Sequence, residues 1–221
     1  FGTVNWIDST ASAVGEMIYN LCKAIGGRIT KEIAECVYMA LVTDTGSFHF
    51  SNTSDRTLKV ASELIKAGAK PAKIGEAVYA NYPWSRIELM RRVLDTVKRD
   101  DSGRIATLRQ TIEMKRLSEA VDGDNNGFVN IPLAAKDVLA AVYMREVGDG
   151  EYRVSLRSKG DINIARVAER FGGGGHKNAA GLRISGDWDE KESEIVEAVR
   201  RAIESSEGEV SANGSNGHQS K

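Results

Sequence analysis

Four consecutive glycines, Gly172 to Gly175, constrain this chain more than any other stretch. Glycine loses more backbone freedom on folding than any other residue. A folded chain therefore keeps four in a row only where the backbone must turn sharply or be approached closely. A linker would also be glycine-rich, but a linker has no need of the His176-Lys177-Asn178-Ala179-Ala180-Gly181 segment and apolar strand that follow at once. The other reading is an anion nest, in which several N–H groups face one concavity. His176 would stand at its rim and Lys177 would add charge. Upstream, Tyr152, Val154 and Leu156 alternate with Arg153, Ser155 and Arg157, the period of a strand with one buried and one polar face. Arg157 is placed to reach the same space from the polar face.

The rest of the chain is organised around helix signals, then strand signals. Val14, Met17, Ile18, Leu21 and Ile25 recur at helical spacing within Thr10–Ile25, with Ser9 or Thr10 to cap the start and Gly26-Gly27 to end it. A second helix starts at its cap Thr30 and runs out at Thr43-Asp44-Thr45-Gly46; a third follows Asn52-Thr53-Ser54 and closes at Gly68. Asn81-Tyr82-Pro83 interrupts, and Trp84 to Arg99 reads as one long charged helix. After the turn-rich Asp100–Gly103 segment come a strand at Ile105–Leu108 and a hairpin of Val138–Val147 with Tyr152–Ser158 around Gly148-Asp149-Gly150. A helix capped by Asp161 ends at Arg170, a strand covers Leu182–Ile184, and a helix covers Ser193–Ile203. Beyond Ser205 apolar residues almost vanish, which predicts a disordered tail. The expected domains are therefore 1–82, a linker helix and turn over 83–102, a second domain over 103–205, and a tail over 206–221.

Charge removes some function classes. Thirty Lys and Arg against 31 Asp and Glu leave a net charge of −1, so no global field draws the chain to nucleic acid or membrane. Two cysteines in helical patterns are too few for a disulfide framework and fit a reducing, cytoplasmic setting. No apolar run reaches the roughly 18 residues of a membrane span. Arg86 to Arg116 holds nine basic residues against five acidic, a solvated helix and turn or the flank of a polyanion channel. Asp44, where an apolar helix runs out into a loop, is either a ligand for a hard divalent cation or the anchor of an Asx-turn. His49, between Phe48 and Phe50, is expected to be a partly buried loop residue. An aspartic protease is excluded, because there is no second Asp-Thr-Gly or Asp-Ser-Gly to share a proton with the first.

Two motifs, in this order, resemble a known family. Leu41–Phe48, LVTDTGSF, is similar to the last metal-binding motif of DHH-family phosphoesterases, and Phe171–Gly181, FGGGGHKNAAG, to the signature of the DHH-associated C-terminal domain. With Ser155–Gly160 and Val129–Leu133 they resemble the branch that degrades short oligoribonucleotides and dephosphorylates 3′-phosphoadenosine 5′-phosphate. The resemblance covers nearly all of the chain to about Val199. It implies a two-lobed α/β fold, with the C-terminal helical part of a DHH domain joined by a helix to a smaller mixed-sheet α/β domain. It also implies two Mn²⁺ ions with Asp44 as catalytic metal ligand, and a substrate held by Arg157, Ser158, Gly173, Gly174, Gly175 and His176. The implied partners are short single-stranded RNA or a nucleoside bisphosphate and no membrane, with a homodimer left open. A dinucleotide phosphodiesterase of the same family and a non-catalytic RNA-binding module are the alternatives. The family's earlier motifs, including its Asp-His-His, are not in this sequence. Because the chain opens at Phe1 within ordered-looking sequence, the expectation is a truncated chain without a complete metal site, inactive by itself.

Overall fold

A computed structural model describes the backbone of residues 2–50 and 52–215, with side chains as far as residue 208. The chain divides into two compact units, Phe1–Asn81 and Tyr82–Lys221.

In the first unit the described residues form four helices and no strand: α1 (Val14–Ala24), α2 (Lys31–Asp44), α3 (Asp55–Lys66) and α4 (Pro71–Tyr79). The starts of α2 and α3 follow the sequence signals. Thr30 Oγ1 accepts from Ile33 N, and Ser54 and Thr57 form a capping box. Val37, Tyr38 and Leu41 of α2 pack with Val60 and Leu64 of α3 in the core.

Helix α1 departs from expectation. It buries Gly15, Glu16 and Tyr19, while the apolar stripe Val14, Ile18, Leu21 and Ile25 is 44–73% exposed. The reason is close approach and a charge. A Cβ on Gly15 would stand 2.8 Å from the Ala40 Cβ, so α1 meets α2 through this glycine. Glu16, fully buried, pairs with Arg56 Nε and accepts from Ser12 N at 3.1 Å and Ser12 Oγ at 2.6 Å. Among the described residues nothing covers the apolar stripe.

The second unit holds α5 (Trp84–Leu94), β1 (Lys98–Arg99), β2 (Ile105–Gln110), α6 (Ile112–Leu117), β3 (Ala140–Gly148), β4 (Glu151–Ser158), α7 (Ile164–Arg170), β5 (Gly174–His176), β6 (Ala179–Ser185) and α8 (Trp188–Ser215). The strands form one mixed sheet in the order β1-β2-β3-β4-β6-β5, with β2 and β3 parallel and the other pairs antiparallel. This is the expected α/β class. One face carries Val142, Met144, Val154, Leu156 and Leu182 into a core closed by Ile164 and Val167 of α7 and Ile195 and Val199 of α8. On the opposite face Leu108, Ala141 and Tyr143 are covered by Leu89 and Val93 of α5 and by Phe128 and Val129. That second cover packs only on β2 and β3.

Several boundaries change. Residues 83–102 are not a linker, because Leu89 and Val93 are core residues, and the helix ends at Leu94 before a turn into β1. Asn163, not Asp161, caps α7, its side chain accepting from Arg166 N, while Asp161 pairs with Lys177. Residues 206–215, expected as tail, continue α8, with Glu207 paired to Arg104; residues 216–221 of that expected tail lie outside the described residues. Among the described residues no helix is long and apolar enough to cross a membrane.

The Glu16 carboxylate makes the first unit acid-sensitive. Burial pushes its pKa up, but the Ser12 hydrogen bonds and Arg56 outweigh burial and hold it below the ordinary carboxylate value. A depressed folded pKa gives stability that is complete above the unfolded carboxylate range, about 4.3, and is lost as pH falls through the folded value. Thermal melts of Glu16→Gln should show a lower melting temperature near neutrality and a flatter acid limb than the parent chain.

Candidate functional site

The glycine run does two jobs in succession. Gly172, at φ +74°, donates to Glu169 O, and Gly173 donates to Ala168 O at 2.9 Å, which closes α7 as a Schellman motif. Gly174 and Gly175 then enter β5, an edge strand in register with Gly181 and Ala180 of β6. The expected nest of converging N–H groups is therefore not formed. The amides of 172 and 173 are spent on helix carbonyls and the next residues run extended. Packing explains two of these glycines. A Cβ at Gly173 would lie 2.3 Å from Gly181 O, and one at Gly175 would lie 2.4 Å from Ala179 O. A Cβ at Gly174 would meet nothing within 4 Å. The missing side chain there leaves the surface open, not the core filled.

Register brings Arg157 and His176 to one face. Arg157 lies opposite Ala179, and Ala179 opposite His176, so all three side chains project from the face that α7 and α8 do not cover. Arg157 is half-buried. Its Nη1 donates to the Leu156 carbonyl at 2.9 Å, and among the described residues no carboxylate pairs with it. Burial pulls its pKa below the ordinary value, the mark of a cation that has lost water without gaining an acid. His176 is exposed, with no described partner for its ring.

Ser158 does not join them. It is buried, donates through Oγ to Ile162 O at 2.8 Å and accepts from Asn178 Nδ2 at 3.1 Å. Its hydroxyl holds the turn after β4 and is not free for a substrate.

Asp44 belongs to the first unit and is the last residue of α2. Neither local reading describes it fully. Among the described residues nothing bonds its carboxylate, so it anchors no Asx-turn; Thr45 does that work, accepting from Phe48 N at 3.0 Å. Gly46, Ser47 and Phe48 follow in the left-handed region at φ +54°, +58° and +66°. Two of these are not glycine, a backbone cost that persists where the surroundings enforce it. The Phe50 ring over Gly46 and the Ser47 Oγ–Tyr79 hydroxyl contact at 3.0 Å do so here. His49 is exposed, not partly buried, its Nδ1 facing Gly46 O at 3.2 Å. No three His, Cys, Asp or Glu side chains stand together as metal ligands among the described residues. One carboxylate cannot hold two hard cations, so these residues do not make a di-manganese site.

The basic stretch from Arg86 to Arg116 is largely paired. Arg86 is held by the Asp124 and Asn126 carbonyls, Arg91 and Arg92 by Glu88, Arg109 by Asp189 and Glu192, and Arg116 by Glu113. The arginines without ion pairs among the described residues are elsewhere. Arg145, Arg153 and Arg183 stand directly opposite one another on β3, β4 and β6, on the same face as Arg157. Counting charges along the sequence misses them, because they are 8 and 30 residues apart and meet only through strand register.

Residues 102–205 match the DHHA1 domain. The chain is 32% identical over 92% of its length to the bifunctional oligoribonuclease and PAP phosphatase NrnA of Thermus thermophilus, covering 61% of that protein. It is 30% identical over 86% of its length to the Bacillus subtilis protein of the same name, covering 60% of it. Among solved structures, an exopolyphosphatase-related protein from Bacteroides fragilis superposes with a TM-score of 0.82 at 32% identity, over 92% of this chain and 59% of that one. The chain thus spans about three-fifths of the length of these relatives.

Two substitutions separate fold from function here. Gly174→Ala should leave the melting temperature unchanged, whereas Gly175→Ala, with its clash and φ of +152°, should cost more than about 1 kcal/mol in denaturant unfolding. Asp44→Asn should change stability by less than about 0.5 kcal/mol, since its carboxylate is exposed and unbonded. A large loss would mean that Asp44 holds the loop.

Proposed function

Because the chain belongs to the DHH family, with residues 102–205 as its DHHA1 domain, we propose that it is part of a phosphoesterase acting on short oligoribonucleotides or 3′-phosphoadenosine 5′-phosphate. In this reading the second unit holds the substrate's terminal phosphate on the open sheet face, between Arg157 and His176 and beside Gly174. The observation that carries it is the half-buried Arg157 without a carboxylate, in register with His176.

The chemistry follows from desolvation. A cation withdrawn from water is stabilised by an anion that supplies charge-assisted hydrogen bonds. A phosphate brings several acceptor oxygens to the guanidinium fork, and the bare backbone at Gly174 lets it approach β5 without meeting a side chain. His176, at the edge, is able to donate to the same group. These residues bind and orient. The described residues make no site for two Mn²⁺ ions, so the reading assigns this chain no bond-breaking step.

Calorimetric titration tests the reading on the chain as it stands. Adenosine 3′,5′-bisphosphate should bind and adenosine should not. A charge-assisted contact is worth roughly 1.5–3 kcal/mol, so Arg157→Ala should weaken the bisphosphate by about tenfold or more. Lys59→Ala, an exposed residue of α3 paired with Asp55, should leave it unchanged. Equal affinity for the two ligands, or an indifferent Arg157→Ala, would show that Arg157 serves the sheet alone.

A further inference from the structure

The open face carries a second cationic feature that the terminal-phosphate reading does not use. Arg145 pairs with Arg153 across β3 and β4, and Arg153 with Arg183 across β4 and β6. Three guanidinium groups thus stand in one row on neighbouring strands about 4.8 Å apart. Like charges directly opposite each other in a sheet destabilise it, and none of the three has an ion pair among the described residues. Arg153 and Arg183 are exposed, and the buried Arg145 Nε has no hydrogen-bond partner. The acid that feels the row is Asp122, whose carboxylate is already bound to Lys115 at 2.5 Å. Arg145 is braced from behind, with Nη1 on Asn125 Oδ1 at 3.4 Å and its guanidinium 5.6 Å from the Tyr143 ring centre. A row of unpaired, like-charged, partly braced groups is what an extended polyanion needs and what a fold alone does not.

The ground between this row and Arg157 is a trough. The intervening register row on the same face is Ser155, Gly181 and Gly174, the smallest side chains available. A groove of about 420 Å³ runs there, lined by the three arginines, Ser155 and Gly181 and reaching Gly173. Arg153 and Arg157 are four residues apart on β4, roughly 13 Å at a strand's rise. A chain with several phosphates spans that interval along the trough, whereas a single nucleotide held at Arg157 does not fill it.

We propose that Arg145, Arg153 and Arg183 bind internal phosphates of a single-stranded oligoribonucleotide lying in this trough, and so select oligonucleotides over a mononucleotide bisphosphate. The proposal rests on the terminal-phosphate reading for the direction in which the strand lies. The row acts on the backbone and reads no base.

The test compares a 5′-phosphorylated tetraribonucleotide with adenosine 3′,5′-bisphosphate, by calorimetry at several salt concentrations. The double variant Arg153→Ala/Arg183→Ala should weaken the tetranucleotide by tenfold or more and make its salt dependence shallower by about one logarithmic unit, near 0.7 for each phosphate released. Bisphosphate affinity should change by less than about twofold, because Arg157 is untouched. An undiminished tetranucleotide, or an equal loss for both ligands, overturns the proposal. Arg153→Gln/Arg183→Gln, which keeps more of each side chain's length, should behave alike, and both double variants should melt at or above the parent temperature once the like charges are gone. Lower melting in both would overturn it in favour of a packing role. Failure of the terminal-phosphate reading looks different, since it appears in the parent chain and in Arg157→Ala.

Discussion

Strand β4 is the element on which the second unit depends. It pairs with β3 on one side and β6 on the other, so its two-residue period is imposed on both neighbours. Tyr152, Val154 and Leu156 point into the core beneath α7 and α8, and Arg153, Ser155 and Arg157 point to the face that no helix covers. A slip of one residue would bury three polar side chains and expose three apolar ones. The register that stabilises the sheet is therefore the same one that aligns Arg157 with His176 and stacks Arg145, Arg153 and Arg183. Core and candidate site are two faces of a single pairing.

Charge is distributed by the same logic. Most arginines of the chain are absorbed in local or cross-element ion pairs, many of them on exposed helix faces where each is worth little. In the first unit Arg56 neutralises the buried Glu16, and α1 turns to accommodate that pair and the Gly15 contact, leaving its apolar stripe outward. On the open face of the second unit the pattern reverses, with cations kept close together without acids. A protein selected for stability alone would not place three arginines in cross-strand register.

The glycine run shows how one sequence feature can be recognised correctly and assigned the wrong mechanics. Its density implied a turn and a close approach, and both are present, as the α7 closure at Gly172 and the open surface at Gly174. The proposed nest is absent because the helix end claims two amides first. Unsatisfied carbonyls at a helix terminus are costly, and the nearest donors meet that demand. Ser158 is a similar case: placed beside Arg157 by sequence, it faces the other way along the strand and is spent on the Ile162 carbonyl.

Local sequence by itself determined the helices with clear caps at Thr30 and Ser54, the hairpin around Gly148–Gly150, and the alternation along β4, because capping, turn chemistry and side-chain period act over only a few residues. It also singled out Arg157, His176 and Asp44 as chemically unusual. Tertiary structure decided the rest. Which face of α1 is buried depended on a contact with α2 and a carboxylate paired 40 residues away. Residues 84–94 became core because β2 and β3 offered an apolar face to cover. The arginine row exists only through strand pairing between residues up to 38 apart in the chain, a distance at which no periodicity along the sequence carries information. Whether a charge is paired is a property of space, and only the folded sheet fixes it.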